Sequence, residues 1–421
     1  MAVALMAVPV TPASADWLGA EHSLTSGEVI RQWPEVSGDR VVYVDRGDER
    51  AAGDVATFDI RLLDLSTGLD RLLTPGHTAT GRASISGDRV VWPDLADGRP
   101  GLAVANLSTG TTRRLAARPG DHVSLSGDRL CYEYAGRVRV HDLRTGVDVA
   151  VSPARALASN CDISGGVVVW QDDRDGNLDV FARDLTTGAE TRLTDDPSDQ
   201  SMPRVDGDVV VWQDAAAGPT DSDIVAVDLR TGAATRVSRY QGPQWQPDVS
   251  GGLVVWMDER FGHGNTEVFA YDLASGIETR VTTADGWSGN PRISGSRIVY
   301  EDVSGGAHNL YQRVLTPPQL GITVSGGSES GVVGVAGTLV GGNDVPVVGA
   351  SVLLETSPDG MAWKQLASVA TAGDGSYSFV APELRGAGWI RVRAPGSPEY
   401  PEAISRVFLL RGAGIVANPP R

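Results

Sequence analysis

Four residues of this 421-residue chain, Asp173, Asp175, Asn177 and Asp179, place side-chain oxygen at alternate positions of one short loop. A hard cation such as calcium takes that kind of donor set, but the bidentate Glu that completes a calcium loop is missing, so no metal is expected. Asp45, Asp94, Asp172, Asp214, Asp258 and Asp302 each lie two places beyond a strand aromatic and look like a ring of carboxylates, with Tyr134 in the remaining place. Aspartate at a strand end commonly bonds its own loop backbone, and that is the expectation here. The histidines, His22, His77, His122, His141, His263 and His308, show no metal-ligand spacing. His122 beside Asp121 is the most suggestive pair, although neighbours on a strand point to opposite faces. No Gly-x-Ser-x-Gly elbow, His-Glu-x-x-His motif or nucleotide-holding glycine run is present. Lys364 is the only lysine, so a lysine-bearing phosphate loop is absent and no other residue could form a Schiff base. The sequence therefore reads as non-catalytic and without a cofactor.

The elements that position these residues come from a repeat. Copies of Ile-Ser-Gly-Asp-Arg-Val-Val-Trp place turn glycines at Gly38, Gly87, Gly127, Gly165, Gly207, Gly251 and Gly295, a period of roughly forty residues. In the clearest copy a strand ends at Ile163, Ser164-Gly165-Gly166 turns, and Val167 to Trp170 forms a second strand. Asp179 to Leu185 is the third strand, Thr186-Thr187-Gly188 the next turn, and Glu190 to Leu193 the fourth. Strands such as Val209-Val210-Val211-Trp212 are apolar on both faces, which fits a sheet packed between two neighbours around an axis. The aromatics Tyr43, Trp92, Tyr132, Trp170, Trp212, Trp256 and Tyr300 are read as wedges between sheets. The seventh copy lacks a fourth strand, and Glu21 to Thr25 should supply it and close the ring.

The pieces Ile163-Ser164-Gly165, Asp173-Arg174-Asp175-Gly176-Asn177-Leu178-Asp179-Val180, Asp184-Leu185-Thr186-Thr187-Gly188 and Arg192-Leu193-Thr194 resemble the propeller repeats of the TolB family and related bacterial cell-surface proteins. The resemblance covers about Glu21 to Leu315 and implies a β-propeller acting as an interaction module. The best-known members have six blades. The turns here count seven, so the expectation is an all-β chain with a seven-bladed β-propeller (six-bladed as the alternative) followed by a small β-sandwich. Val348-Gly349-Ala350-Ser351-Val352, Asp359-Gly360-x-x-Trp363, Asp374-Gly375-x-Tyr377-x-Phe379 and Ile390-Arg391-Val392 resemble bacterial immunoglobulin-like or fibronectin type III-like modules.

The expected divisions are a signal-peptide remnant at 1–15, the propeller at 16–316, the sandwich at 317–411 and a disordered tail at 412–421. The signal rests on the apolar run Ala2 to Val10 before Pro12-Ala13-Ser14-Ala15. It makes the protein secreted, extracellular or attached at the cell surface. A net charge of -17 without a basic cluster argues against nucleic acid and anionic membrane surfaces. No other apolar run is long enough to insert in a bilayer. Cys131 and Cys161 lie in neighbouring repeats, and a disulfide and two buried thiols explain them equally well.

Loops between second and third strands and links between sheets vary within the chain, so that side is the candidate binding face. The links enter the central strands at Trp33, Arg82, His122, Asn160, Met202, Gln246 and Asn290, one per repeat. The candidate ligand-binding residues at the channel mouth are Trp33, Arg82, Asp121, His122, Asn160, Trp245, Gln246 and Asn290, aromatic faces beside amides that suit sugar or peptide. The alternative is that they cap strand starts and pack loops. Expected partners are a protein, a peptide or a glycan. A polysaccharide lyase or hydrolase and a structural surface component are the competing readings.

Overall fold

The computed structural model describes residues 18–417 apart from single residues and short loop segments, the longest being 116–119, 327–332, 341–345, 382–387 and 396–402. The expected signal (1–15) and the candidate residue Asp121 lie outside the described residues. The chain divides into two units, one holding 20–273 and 278–314, the other 315–421 with 1–19 and 274–277.

The first unit contains seven four-stranded antiparallel sheets. Its first sheet runs Arg31–Ser37, Arg40–Ala52, Val55–Asp64 and Leu69–Leu72, and its fourth Ser159–Ser164, Val167–Asp172, Asp179–Asp184 and Glu190–Arg192. The second strands are buried on both faces, and all seven wedge aromatics are at most 4% exposed. Truncating one to Ala would cost about 3–5 kcal/mol, because the neighbouring sheets cannot close over so large a void. In the last sheet His22–Ser23 pairs with Asn309–Val314, His22 opposite Gln312. Leu24 N–H donates to the Leu310 carbonyl at 2.8 Å.

The recurrence of Ser-Gly has a physical cause. Each serine hydroxyl accepts a hydrogen bond from the turn glycine of the next sheet: Ser37 from Gly87, Ser86 from Gly127, Ser126 from Gly165, Ser164 from Gly207 and Ser250 from Gly295, all at 3.0 Å. Asp206 replaces serine before Gly251, at 2.8 Å, and Ser294 returns to Gly38 at 3.0 Å. The seven bonds run once around and close. The glycines hold φ between 55° and 59°, and a Cβ there would meet nothing within 4 Å. Backbone conformation, not space, therefore demands glycine.

Cys131 and Cys161 form a disulfide, with Cα atoms 6.3 Å apart. It staples the second strand of the third sheet to the first strand of the fourth.

The second unit holds two sheets. Gln319–Gly326, Val333–Val340 and Ser376–Ala381 form one, and Lys364–Ala370, Ser351–Ser357, Gly388–Ala394, Phe408–Arg411 and Gly414–Ala417 run in order through the other. Val335, Leu339 and Phe379 of the first share a core with Val352, Leu354, Ile390 and Val392 of the second. The disordered tail at 412–421 needs correction. Gly414–Ala417 is a strand paired with Phe408–Arg411, Leu409 opposite Val416, and Ile415 and Val416 are β-branched residues that favour one.

Candidate functional site

In five of the seven sheets the first strand is interrupted by a bulge, with register shifts at Gln32/Glu35, Ser159/Asp162, Ser201/Arg204, Trp245/Asp248 and Gly289/Arg292. At each bulge one residue of the aligned series turns left-handed: Trp33 (φ 54°), Asn160 (49°), Met202 (53°), Gln246 (52°) and Asn290 (47°). Pro34, Pro203, Pro247 and Pro291 follow in four of them, where the broken ladder needs no N–H. Left-handed Trp, Met and Gln are strained and persist only where neighbours over-determine them. The preceding sheet does so. Trp33 N–H donates to Glu301 Oε1 at 2.7 Å, Met202 N–H to Gln171 Oε1 at 2.9 Å, and Asn160 N–H to Glu133.

Two residues further along each first strand lies a second ring: Glu35, Ser84, Ser124, Asp162, Arg204, Asp248 and Arg292. Most of these hook the next sheet. Ser84 Oγ accepts Leu125 N–H at 3.1 Å, Asp162 Oδ2 accepts Val205 N–H at 2.8 Å, and Asp248 Oδ2 accepts Ile293 N–H at 2.9 Å. Arg292 pairs with Glu35 at 2.7 Å.

Within these rings lies a cavity of about 220 Å³. Arg82, Arg204 and Arg292 give it positive charge, His122, Asn160 and Gln246 give it hydrogen-bonding groups, and Met202 and Pro247 are its apolar wall. His122 Nε2 lies 3.0 Å from the Cys161 carbonyl oxygen and 3.3 Å from an Arg204 guanidinium nitrogen. Burial first, then Arg204, Arg82 and Arg292, push the His122 pKa well below its usual value, so the imidazole is neutral at pH 7. Burial and the same crowding by Arg292 and Arg204 bring Arg82 down to about 10, leaving it charged. Asp248 is pushed up to about 6 by burial, against the pull of Arg292. Burial also works against the Arg292 charge, but Glu35 and Asp248 outweigh it and hold its pKa up.

Four expected site residues, Arg82, His122, Asn160 and Gln246, come together in this cavity. Trp33 does not line it; it packs edge-on against Phe58 at 6.0 Å and lies under the Arg82 guanidinium at 5.0 Å. Trp245 is half-buried one residue before Gln246 and is not among the lining residues. Asn290 is buried and donates to Glu301 Oε1 at 2.7 Å, so it serves the fold. The sequence reading passed over Arg204 and Arg292. Their signal is the variable residue just before each Ile-Ser-Gly copy, two places beyond the aligned series, which strand alternation brings to the same axial side across a bulge.

The acidic loop is spent on hairpin structure. Asp179 binds Arg192 at 2.6 Å and Thr194 Oγ1 at 3.0 Å, Asp175 lies 3.2 Å from Arg192, and Asp173 accepts Leu157 N–H at 3.0 Å. The strand-end aspartates hold their own loops, as in Arg174 N–H to Asp172 at 3.0 Å and Arg260 N–H to Asp258 at 2.9 Å.

No family model matches the sequence, and no curated protein matches it. Among solved structures, the β-propeller domain of the Trilobed protease from Pyrococcus furiosus is similar at 13% identity and TM-score 0.52, over 68% of this chain and 95% of that one. An oligogalacturonate lyase in complex with manganese is similar at 14% identity and TM-score 0.52, over 72% of this chain and 95% of that one. TolB from Acinetobacter baumannii matches at 17% identity over 63% of this chain and 78% of that one, with a TM-score of 0.38. The first two likenesses establish an all-β, propeller-type fold. They also overturn the expectation that the chain is not an enzyme, which rested on missing motifs. A lyase stands on this fold, and so does a domain of a protease, so the architecture is no argument against catalysis.

Proposed function

We propose that this protein is a seven-bladed propeller of the TolB kind, followed by an immunoglobulin-like sandwich and exported to the cell surface or beyond. It binds its partner at the axial mouth on the side of the variable loops. One observation carries the reading: five residues of the aligned series are left-handed, the backbone N–H of three of them, Trp33, Asn160 and Met202, is held by a side chain of the preceding sheet, and Asn160, Met202 and Gln246 line a cavity of about 220 Å³. Strain retained around a concave, polar-lined space is what a preorganised binding site presents. The amides of Asn160 and Gln246 beside Met202 suit the hydroxyls and ring face of a glycan, or a peptide end.

The test is thermal shift of the full chain against panels of oligosaccharides and short peptides. A saturable rise that Met202→Trp abolishes, by filling the cavity, supports the axial site. A rise that Met202→Trp leaves intact places binding elsewhere and overturns it.

A second reading, a lyase or hydrolase acting on a glycan at the same mouth, is favoured by His122. A neutral imidazole lining the cavity, with Nε2–H facing the Cys161 carbonyl, keeps Nδ1 as its one unprotonated nitrogen for a proton. Release of shortened glycan, lost in His122→Gln, would distinguish it from binding alone.

A further inference from the structure

We propose that the axial cavity receives a compact carboxylate of single-sugar-acid size, held by Arg204 and Arg82. The inference rests on the axial mouth being the ligand site and names the class of ligand it takes.

Other buried or half-buried arginines have an acceptor of their own, either a carboxylate, as Arg192 with Asp179 at 2.6 Å and Arg260 with Asp258 at 2.6 Å, or a carbonyl, as Arg137 with Ser152 at 2.7 Å and Arg113 with Leu143 at 2.7 Å. Among the described residues, Arg82 and Arg204 form no ion pair, yet both line the cavity. Arg204 meets His122 Nε2 at 3.3 Å, but that nitrogen also faces the Cys161 carbonyl at 3.0 Å. A carbonyl only accepts, so Nε2 must carry the proton and has no lone pair left for Arg204. Arg82 lies over the Trp33 ring at 5.0 Å, a contact that engages the guanidinium face and spares its N–H edge. Two guanidinium forks thus present donors to the cavity with no acceptor of their own.

The charge balance selects among anions. Arg292 is neutralised by Glu35 at 2.7 Å. Asp162 and Glu301 are engaged by Ser124 and Val205, and by Trp33 and Asn290. Asp248 also stands beside Arg292 and Arg204, so four carboxylates face the three arginines and the cavity holds no charge surplus for a phosphate dianion; the two unpaired guanidinium edges suit one singly charged carboxylate. The volume of about 220 Å³ is below the roughly 300–1,000 Å³ of drug-sized pockets. Carboxamides of Asn160 and Gln246 remain for hydroxyl groups.

The experiment is calorimetric titration of the full chain at pH 7 with sodium glucuronate, glucose and inorganic phosphate. Expected is one-to-one binding of glucuronate at least tenfold tighter than glucose, weakened about tenfold or more by Arg204→Gln, because a charge-assisted fork is lost. Arg82→Gln gives the same loss, and it decides the matter if the Arg204 variant fails to fold. Equal affinity for glucuronate and glucose, both abolished by Met202→Trp, overturns the anion while the axial site stands. Phosphate binding as tightly as glucuronate overturns the carboxylate. No heat with any of the three overturns the proposal, and the glycan and peptide screen then judges the axial site separately.

Discussion

Tyr132 donates its hydroxyl proton to Asp148 at 2.7 Å, tying the second strand of the third sheet to the fourth. Tyr43 does the same to Asp70 at 2.7 Å, and Tyr300 to Glu21. Where the wedge is tryptophan, the indole turns to its own loop instead, Trp170 to Asp172 at 3.2 Å and Trp256 to Asp258 at 3.0 Å. Trp92 departs from both patterns, since its buried indole nitrogen has no partner among the described residues. Tyr and Trp at this position are therefore not interchangeable.

Tyr300→Phe should lower stability by about 1–2 kcal/mol, the worth of a hydrogen bond to a carboxylate that is partly exposed. Trp92→Phe, which sacrifices no hydrogen bond, should cost about 1 kcal/mol less than Trp170→Phe. Urea unfolding of the three variants checks both. A Trp92→Phe cost equal to or above that of Trp170→Phe would refute the assignment.

The same tyrosines set an alkaline limit. Burial, then the hydrogen bond to Asp148, push Tyr132 up to about 12, and the same causes raise Tyr43 and Tyr300 above the usual tyrosine range. A raised folded-state value gives stability that is complete below the unfolded value of about 10 and lost as pH rises through the folded value. Stability should thus fall from about pH 10 upward, and ultraviolet titration should find these phenols ionising late, together with unfolding. Three tyrosines titrating normally in a folded chain would contradict this.

Asp248 titrates in the opposite range. Burial, helped by Glu35, raises it to about 6 against Arg292 and Arg204, which favour its charge. Its contribution is complete below about pH 4 and lost as pH climbs through 6. Asp248→Asn, which keeps an acceptor for Ile293 N–H, should stabilise the protein at pH 7 by on the order of 1–3 kcal/mol and flatten the profile between pH 4 and 6. Glucuronate should also bind more tightly at pH 5.5 than at pH 7.5. An unchanged pH–stability curve in the variant would place the titration elsewhere.

Reducing the Cys131–Cys161 bridge, which spans a sequence separation of 30, should cost about 2–4 kcal/mol by releasing the unfolded chain. Urea midpoints with and without reductant measure it. Coincident midpoints would mean that the staple constrains nothing.

The sheets were legible in the sequence because two signals agreed, glycine where the turn backbone is left-handed and β-branched or aromatic runs where strands are covered on both faces. The closing strand was legible from a missing fourth strand in the last copy. The site was half legible. Arg82, His122, Asn160 and Gln246 were found by alignment, but the left-handed bulges were hidden because Trp33, Met202 and Gln246 are not residues that advertise such backbone. Arg204 and Arg292 were hidden by occupying places where Ser84, Ser124 and Asp162 do structural work. Trp245 and Asn290 were included on position alone, which cannot tell a side chain aimed at the axis from one serving its neighbour.

The pairing of His22–Ser23 with Asn309–Val314 has a temporal consequence. Thr25 finds the Leu310 amide only after crossing a sequence separation of 285 residues, so during synthesis the opening segment idles until the last sheet is made. Closing so long a loop is slow, and the waiting edge is a template for any other extended strand. A second copy could lend its own opening segment, so crowded refolding should yield strand-exchanged dimers. The clasp that finishes the ring thus makes its assembly depend on concentration.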